Sequence, residues 1–198
     1  MAKIIDFMKK KKLFSTLVIT GLIGIILCGI FLLFLNDSSI EIMGSSINTY
    51  FNNIKSNSIK YSNNFIVGLV NSFSIGIIIL LLGISMVGGV FIILIFGIKC
   101  FMVSLSFFSI IYLYGINGIL LSIIYIIPYF INMLLLFILS YYAISFSILI
   151  FKYFFRGVSY NRKVIIKRYI KILGLCLIGF LITTLIDVFL VPKILLLF

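Results

Sequence analysis

Very few side chains in this sequence could carry acid–base, nucleophilic or metal chemistry. The chain has 198 residues, no histidine and 4 acidic residues, so histidine-based catalysis and histidine-ligated metal sites are excluded. Cys28, Cys100 and Cys176 lie 72 and 76 residues apart inside apolar runs, which is neither a zinc spacing nor a disulfide framework. We therefore predict no enzyme activity, no cofactor and no metal site, and we expect the cysteines to be buried as small hydrophobic residues.

Two ionisable residues, Lys99 and Asp187, stand inside apolar stretches. A charge at the centre of a membrane span costs on the order of 3 kcal/mol on insertion scales. Lys99 therefore either faces the interior of a helix bundle, paired with a polar group or a partner's acid, or extends to the cytoplasmic surface. Asp187 follows Thr183 and Thr184 by one turn, which predicts a polar cluster on one helix face. Its position near a helix end would also let it reach the outer interface.

The composition makes the lipid bilayer the expected solvent of this chain. Hydrophobic residues make up 64% and charged residues 10%, against about 45–50% and about 25% in soluble domains. Such a chain cannot cover a globule with polar surface. Lys and Arg total 16, and most lie in two blocks that flank apolar segments. This arrangement indicates orientation in a membrane and no nucleic-acid partner.

The apolar segments predict an all-α fold, a polytopic transmembrane helical bundle of about five spans. The uncharged run 13–35 follows a lysine-rich segment and lacks a small-residue cleavage site, so we expect an anchor and not a signal peptide. Residues 65–151 hold one charge, and the basic loop 152–171 holds no acid, which places this loop and the N-terminus in the cytoplasm. A region that enters from outside and leaves inside crosses an odd number of times, and three crossings fit its length.

Glycine-containing turn signals divide this central region at 81–89 and 114–118. They set the internal spans near 65–86, 88–114 and 118–151. A second segmentation places the cytoplasmic turn at Lys99.

Pro128 interrupts the last of these spans, which predicts a kink or a short interfacial or re-entrant helix. The final crossing is predicted at 173–191, which carries Pro192 and the C-terminus to the outside. Together the segments predict one integral membrane domain over 1–198.

The one long polar stretch, the outer loop 36–64, contains seven Asn and seven Ser. Apolar residues nevertheless recur in it at intervals of three and four, which is typical of a helix with one apolar face. We expect a helix on the outer membrane surface, and the alternative is a flexible loop.

Glycines in the predicted spans favour close helix packing, either within the chain or against a partner's helix. The cytoplasmic segment carries Lys163, Lys167 and Lys171 on one stripe, which indicates attraction to anionic lipid.

Residues 71–128 resemble the stage II sporulation protein M family of bacterial membrane proteins. The likeness is carried by Asn71 before an apolar span, Leu82-Gly83-Ile84-Ser85-Met86-Val87-Gly88, Ile98-Lys99-Cys100-Phe101, Gly115-Ile116-Asn117-Gly118-Ile119 and Ile126-Ile127-Pro128. The chain departs from the family at Cys100, where a glycine is usual, and at Tyr129 and Phe130, where polar residues are usual.

The resemblance implies a non-enzymatic scaffold in the bacterial cell membrane, with about five spans and a cytoplasmic N-terminus. Such a protein takes part in engulfment of the forespore and holds two wall-degrading partners, stage II sporulation proteins D and P, at the septal membrane. The candidate packing or partner positions are Asn71, Gly83, Gly88, Lys99, Gly115, Asn117, Gly118, Pro128, Asn132 and Asp187. The alternative is a permease-like subunit that works with a separate ATPase, because polar residues in interrupted helices can line a substrate path.

Overall fold

The computed structural model describes residues 2–56, 61–156 and 162–195, and these are almost entirely helical. The elements are α1 (Ala2–Leu33), α2 (Asp37–Lys55), α3 (Tyr61–Ile84), α4 (Gly88–Arg156), α5 (Arg162–Leu185), a π-helical turn (Ile186–Leu190) and α6 (Val191–Leu195). The part of the chain that the structure describes contains no strand. The all-α prediction is confirmed.

Helix α4 consists of two arms, α4a (Gly88–Ile116) and α4b (Gly118–Phe155), and the helical geometry is broken at Gly115, one residue before α4a ends. Gly115 has φ 59° and ψ −134°, a backbone conformation that only glycine adopts readily. A Cβ atom on Gly118 would lie 2.6 Å from the carbonyl oxygen of Ile110, so the reversal also needs a glycine there. The break falls at the predicted turn signal 114–118.

Five helices are long and apolar enough to cross a membrane, which confirms a multi-pass bundle of about five spans. They are Lys12–Leu33, Asn63–Ile84, Gly88–Ile116, Gly118–Phe155 and Tyr169–Leu195. The shortest have 22 residues, or about 33 Å at 1.5 Å per residue, enough for a hydrocarbon core about 30 Å thick. Lys99 lies inside the third of them, so the segmentation with a turn at Lys99 is wrong.

The structure also bears on two expectations for the segments that contain proline. Within α4 only Gly115 has non-helical dihedral angles, so no separate interfacial or re-entrant helix precedes Pro128, and the alternative of a kink at Pro128 stays a prediction. A membrane helix tolerates an internal proline where neighbouring groups satisfy the freed carbonyl. The last helical stretch does not end at 191, because the chain continues through the π-helical turn into α6, where Pro192 is buried in the first turn. The helix is continuous here, because the Val191 N–H bonds to the carbonyl oxygen of Ile186. A proline ring clashes with the i−4 carbonyl of a regular α-helix, and the π-helical turn directly before Pro192 departs from that regular geometry.

Arm α4b is central to the bundle, because α3, α5 and α4a all pack against it. Helix α1 packs along α4a, and the ring of Phe14 meets that of Phe137 on α4b edge to face at 5.2 Å. The three cysteines are buried, as predicted. The buried core includes Leu17, Ile79, Ile92, Phe96, Leu139, Ala143 and Phe180.

The turn between α3 and α4 is held by a buried serine of α4b. The Ser147 hydroxyl donates to the carbonyl oxygen of Ser85 at 2.6 Å and lies 3.3 Å from that of Met86. A Cβ atom on Gly88 would overlap the carbonyl of Leu82, so the turn closes only around a glycine. At Gly83, a Cβ atom would clash with the Tyr169 hydroxyl. The predicted turn at 81–89 is therefore present, and its glycines serve packing.

Helix α2 covers the opposite end of the bundle. Its residue Ile54 is 2% exposed and packs with Val191 and Leu195 of α6. The Tyr114 hydroxyl of α4a donates to Asn48 Oδ1 of α2. The periodic pattern in 36–64 therefore does form a helix over Asp37–Lys55, and the loop alternative is wrong for these residues.

Candidate functional site

A polar cavity of about 70 Å³ lies between α3, α4b, α5 and the π-helical turn. Its lining combines a carboxylate, two amides and several hydroxyl groups. The residues are Gly68, Asn71, Ser72, Pro128, Tyr129, Asn132, Thr183, Thr184 and Asp187. The cavity therefore brings together four of the positions singled out from sequence, Asn71, Pro128, Asn132 and Asp187.

The cavity lies well inside the spans and not at their ends. Asn71 is eight residues from the start of its span at Asn63, and Asp187 is eight residues from the end of its span at Leu195. At 1.5 Å per residue, both lie about 12 Å from the same end of the bundle. Asp187 thus lines a cavity between helices, and the helical stretch continues further beyond it than the sequence suggested.

Asp187 ends a short chain of hydrogen bonds from two tyrosines of α4b. The Tyr129 hydroxyl donates to Asp187 Oδ2 at 3.2 Å, and the Tyr125 hydroxyl donates to the Tyr129 oxygen at 3.2 Å. The carboxylate belongs to the π-helical turn, a distortion that is frequent at functional sites. One carboxylate oxygen is therefore bound, and the other has no hydrogen-bond donor among the described residues.

Three of the remaining hydroxyl and amide groups donate to partners other than Asp187. Thr183 Oγ1 and Thr184 Oγ1 both donate to the carbonyl oxygen of Phe180, at 3.0 and 2.8 Å. Asn132 Nδ2 donates to Ser72 Oγ at 3.1 Å. The predicted cluster of the two threonines with Asp187 is therefore present, although the threonines bond to backbone and not to the carboxylate.

Helix α2 reaches this network through Tyr50. Its ring meets the ring of Tyr125 edge to face, with centroids 5.9 Å apart. Burial raises the pKa of the Tyr50 phenol, and the negative charges of Asp187 and of ionised Tyr125 raise this pKa further. Tyr50 thus stays neutral up to high pH, and it is the residue of α2 that contacts the tyrosine network.

Lys99 stands apart from this cavity, in the middle of α4a. It is half-buried, and it makes no hydrogen bond or ion pair with any residue that the structure describes. The next residue, Cys100, is buried beside Gly21 and Gly24 of α1, whereas Ile98 and Met102 are exposed. Lys99 therefore lies on the flank of the α1–α4a contact.

The other sequence candidates have different places in the fold. Gly83 and Gly88 lie at the far end of α3, and Gly115 and Gly118 form the reversal within α4. The side chain of Asn117 lies outside the described residues. Sequence reasoning missed Tyr50, Tyr125 and Tyr129 as members of the network, and the available signal was the i, i+4 spacing of the two α4b tyrosines.

A second cavity of about 360 Å³ lies between α2 and α4. Its walls are largely apolar and include Met43, Ile47, Leu105 and Ile110. Tyr125 lines it as well, so the apolar cavity lies directly beside the tyrosine network.

Comparisons of this chain with protein-family models, curated proteins and solved structures find no match. Among the described residues, no group of three His, Cys, Asp or Glu side chains lies together. The function of the polar cavity is therefore inferred from its oxygen atoms, its single carboxylate and its depth in the bundle.

Proposed function

We propose that this chain is a non-enzymatic scaffold of the bacterial cell membrane, resembling stage II sporulation protein M, which holds cell-wall hydrolases at the septal membrane during engulfment. The observation that supports it is Lys99, a cation in the middle of a span with no partner among the described residues. An acidic side chain on a partner's transmembrane helix would offset a cost on the order of 3 kcal/mol.

The surface around Lys99 suits such a partner helix. Ile98 and Met102, which flank the lysine on α4a, are both more than half exposed. Apolar contact with these residues would accompany the ion pair, as in other membrane helix pairs. We therefore propose that the partner contact lies on the outside of the bundle, away from the polar cavity.

The charge distribution supports an extracytoplasmic position for α2. The described basic residues Lys152, Lys167 and Lys171 lie towards the end of the bundle opposite α2, and basic loops remain in the cytoplasm. In this orientation α2 and α6 face the side on which the cell wall lies, where wall hydrolases act.

The test is chemical cross-linking in sporulating cells, followed by purification of the tagged chain from membranes. We expect stage II sporulation proteins D and P in the purified complex. Lys99→Leu should lose this complex and Lys99→Arg should keep it, whereas Lys171→Leu, at an exposed lysine of α5 at the end of the bundle away from α2 and α6, serves as the control. Unchanged recovery of the partners with Lys99→Leu would contradict the role of the lysine.

A second candidate function is a permease-like subunit of a transport system, and the polar cavity favours it. Transport sites lie inside the bilayer and are often formed by interrupted helices, and here Asp187 lies in a π-helical turn. The same purification separates the two functions, because a transport subunit would bring down a nucleotide-binding ATPase and no wall hydrolase.

A further inference from the structure

We propose that the polar cavity at Asp187 binds one small monovalent cation of the Na⁺ type. Asp187 is the one acidic residue of the sequence that lies in any of the five spans. No lysine or arginine pairs with it among the residues that the structure describes. A carboxylate at this depth is costly when it is charged and unpaired, so it is neutralised either by a proton or by a bound cation, and the experiment below separates the two.

The hydrogen-bond inventory of the cavity leaves oxygen acceptors free. The hydroxyl hydrogens of Thr183 and Thr184 are committed to a backbone carbonyl, and that of Tyr129 is committed to Asp187 Oδ2. Asn132 uses its amide nitrogen on Ser72, so its Oδ1 has open lone pairs. A cavity whose lining presents oxygen lone pairs and one negative charge is complementary to a hard cation.

Charge and size restrict the class of cation. Ca²⁺ sites in proteins commonly use several carboxylates, and here there is one, so a single positive charge balances the site. The cavity volume of about 70 Å³ exceeds the roughly 10–15 Å³ of such space that one water molecule needs, so a small cation fits together with water molecules. The protein oxygens of the lining can replace part of the hydration shell of the cation.

The experiment uses the full chain, purified and placed in lipid nanodiscs. Binding of ²²Na⁺ is measured directly, and thermal unfolding is measured in NaCl, KCl and choline chloride at equal ionic strength. We expect saturable ²²Na⁺ binding and a rise in Tm with Na⁺ that choline does not produce. This rise follows from linkage, because the ion binds the folded state.

Three variants assign the effect to the cavity. Asp187→Asn keeps the shape and an acceptor for Tyr129 but removes the charge, and it should abolish saturable binding. Thr184→Val removes one oxygen and should weaken binding about tenfold, equivalent to about 1.4 kcal/mol. Glu41→Gln makes the same chemical change at an exposed residue of α2 and should leave binding unchanged.

The proposal is overturned if ²²Na⁺ binding is not saturable, if choline raises Tm as much as Na⁺, or if Asp187→Asn binds as the parent does. A Tm that depends on pH through Asp187 but not on Na⁺ would also overturn it, because the site would then hold a proton only. Should Asp187→Asn fail to fold, Thr184→Val decides the question. The inference is independent of the scaffold function, since either can fail while the other holds.

Discussion

The close approach of α1 and α4a depends on single small residues. A Cβ atom on Gly24 would lie 2.8 Å from the carbonyl oxygen of Gly97 and 3.1 Å from Cys100 Cβ. The first of these is a backbone atom, which cannot turn aside as a flexible side chain can. In lipid, where apolar surfaces gain little from meeting, such close packing is a main source of helix association.

Gly24→Ala should therefore destabilise the bundle by about 1–3 kcal/mol, because the added methyl group forces the two helices apart. Gly29→Ala is the matched control on the same helix, since a Cβ atom there meets nothing within 4 Å. The control should be neutral, or more stable by up to about 1 kcal/mol through helix propensity. Thermal unfolding of both variants in the same detergent measures the difference, and equal Tm values for the two would contradict this account.

The residues of the polar cavity were predictable only in part. Thr183, Thr184 and Asp187 lie within one helical stretch, so their spacing in the sequence is enough to predict that they are neighbours. The bond from Tyr129 to Asp187 joins residues 58 apart and depends on how two helices are rotated against each other. Hydrophobic periodicity does not determine that rotation in a span that is apolar all round, because every face is compatible with lipid.

Among the elements, α2 is the one whose position rests on few contacts. Ile54 is its buried anchor, and Phe51 adds an edge-to-face contact with Tyr114 at 5.5 Å between centroids. The loss of the Ile54 side chain therefore removes a large part of the packing contact between α2 and the bundle. Hydrogen exchange measures the free energy of local opening of α2.

Ile54→Ala should release α2 while the spans stay folded, because removal of a buried isoleucine costs about 2–5 kcal/mol. We expect amide exchange in peptides covering 41–54 to accelerate about tenfold or more, since each 1.4 kcal/mol is about a factor of ten. Ile42→Ala, at a residue that is 67% exposed, is the control and should leave exchange unchanged. Acceleration spread equally over α3 and α5 would instead indicate loss of the whole bundle.

Element types were easier to predict from this sequence than element ends. The three- and four-residue recurrence of apolar residues in 36–64 is a local property, and the helix there follows from it. The extension of the last helical stretch to Leu195 depends on the π-helical turn before Pro192, which the hydropathy pattern does not encode. Gly115 could be predicted as a turn residue, because glycine lacks a Cβ atom and readily adopts the positive φ that it has in the structure.

The molecule as a whole has two different ends. At one end, Ser147 and Tyr169 bond to the backbone of the last turn of α3 and the residues after it, and Lys167 and Lys171 flank Tyr169 on α5. At the other end lie α2, α6 and the break at Gly115, with the polar cavity about 12 Å inside. Three helices that are long and apolar enough to cross a membrane separate α2 from the basic loop, so we expect the two on opposite sides of the membrane.

This arrangement is tested by labelling single introduced cysteines with a membrane-impermeant maleimide. Asn52 of α2 is exposed and is a better choice than Tyr50, which is half-buried against Tyr125; Lys167 is the exposed position on the basic side. Positive-inside orientation predicts that Asn52→Cys reacts in intact cells and that Lys167→Cys reacts only after permeabilisation. The parent chain is the background control, because its three cysteines are buried.

The pattern of labelling separates the span count from the orientation. Reaction of both positions from the same side requires an even number of crossings between them, which the three helices Asn63–Ile84, Gly88–Ile116 and Gly118–Phe155 do not allow. That result would contradict the five-span bundle.

The reversed pattern, with Lys167→Cys reacting in intact cells, would keep the five spans and place α2 in the cytoplasm. A scaffold for wall hydrolases would then have its α2 end on the wrong side of the membrane, so this outcome contradicts the proposed function directly.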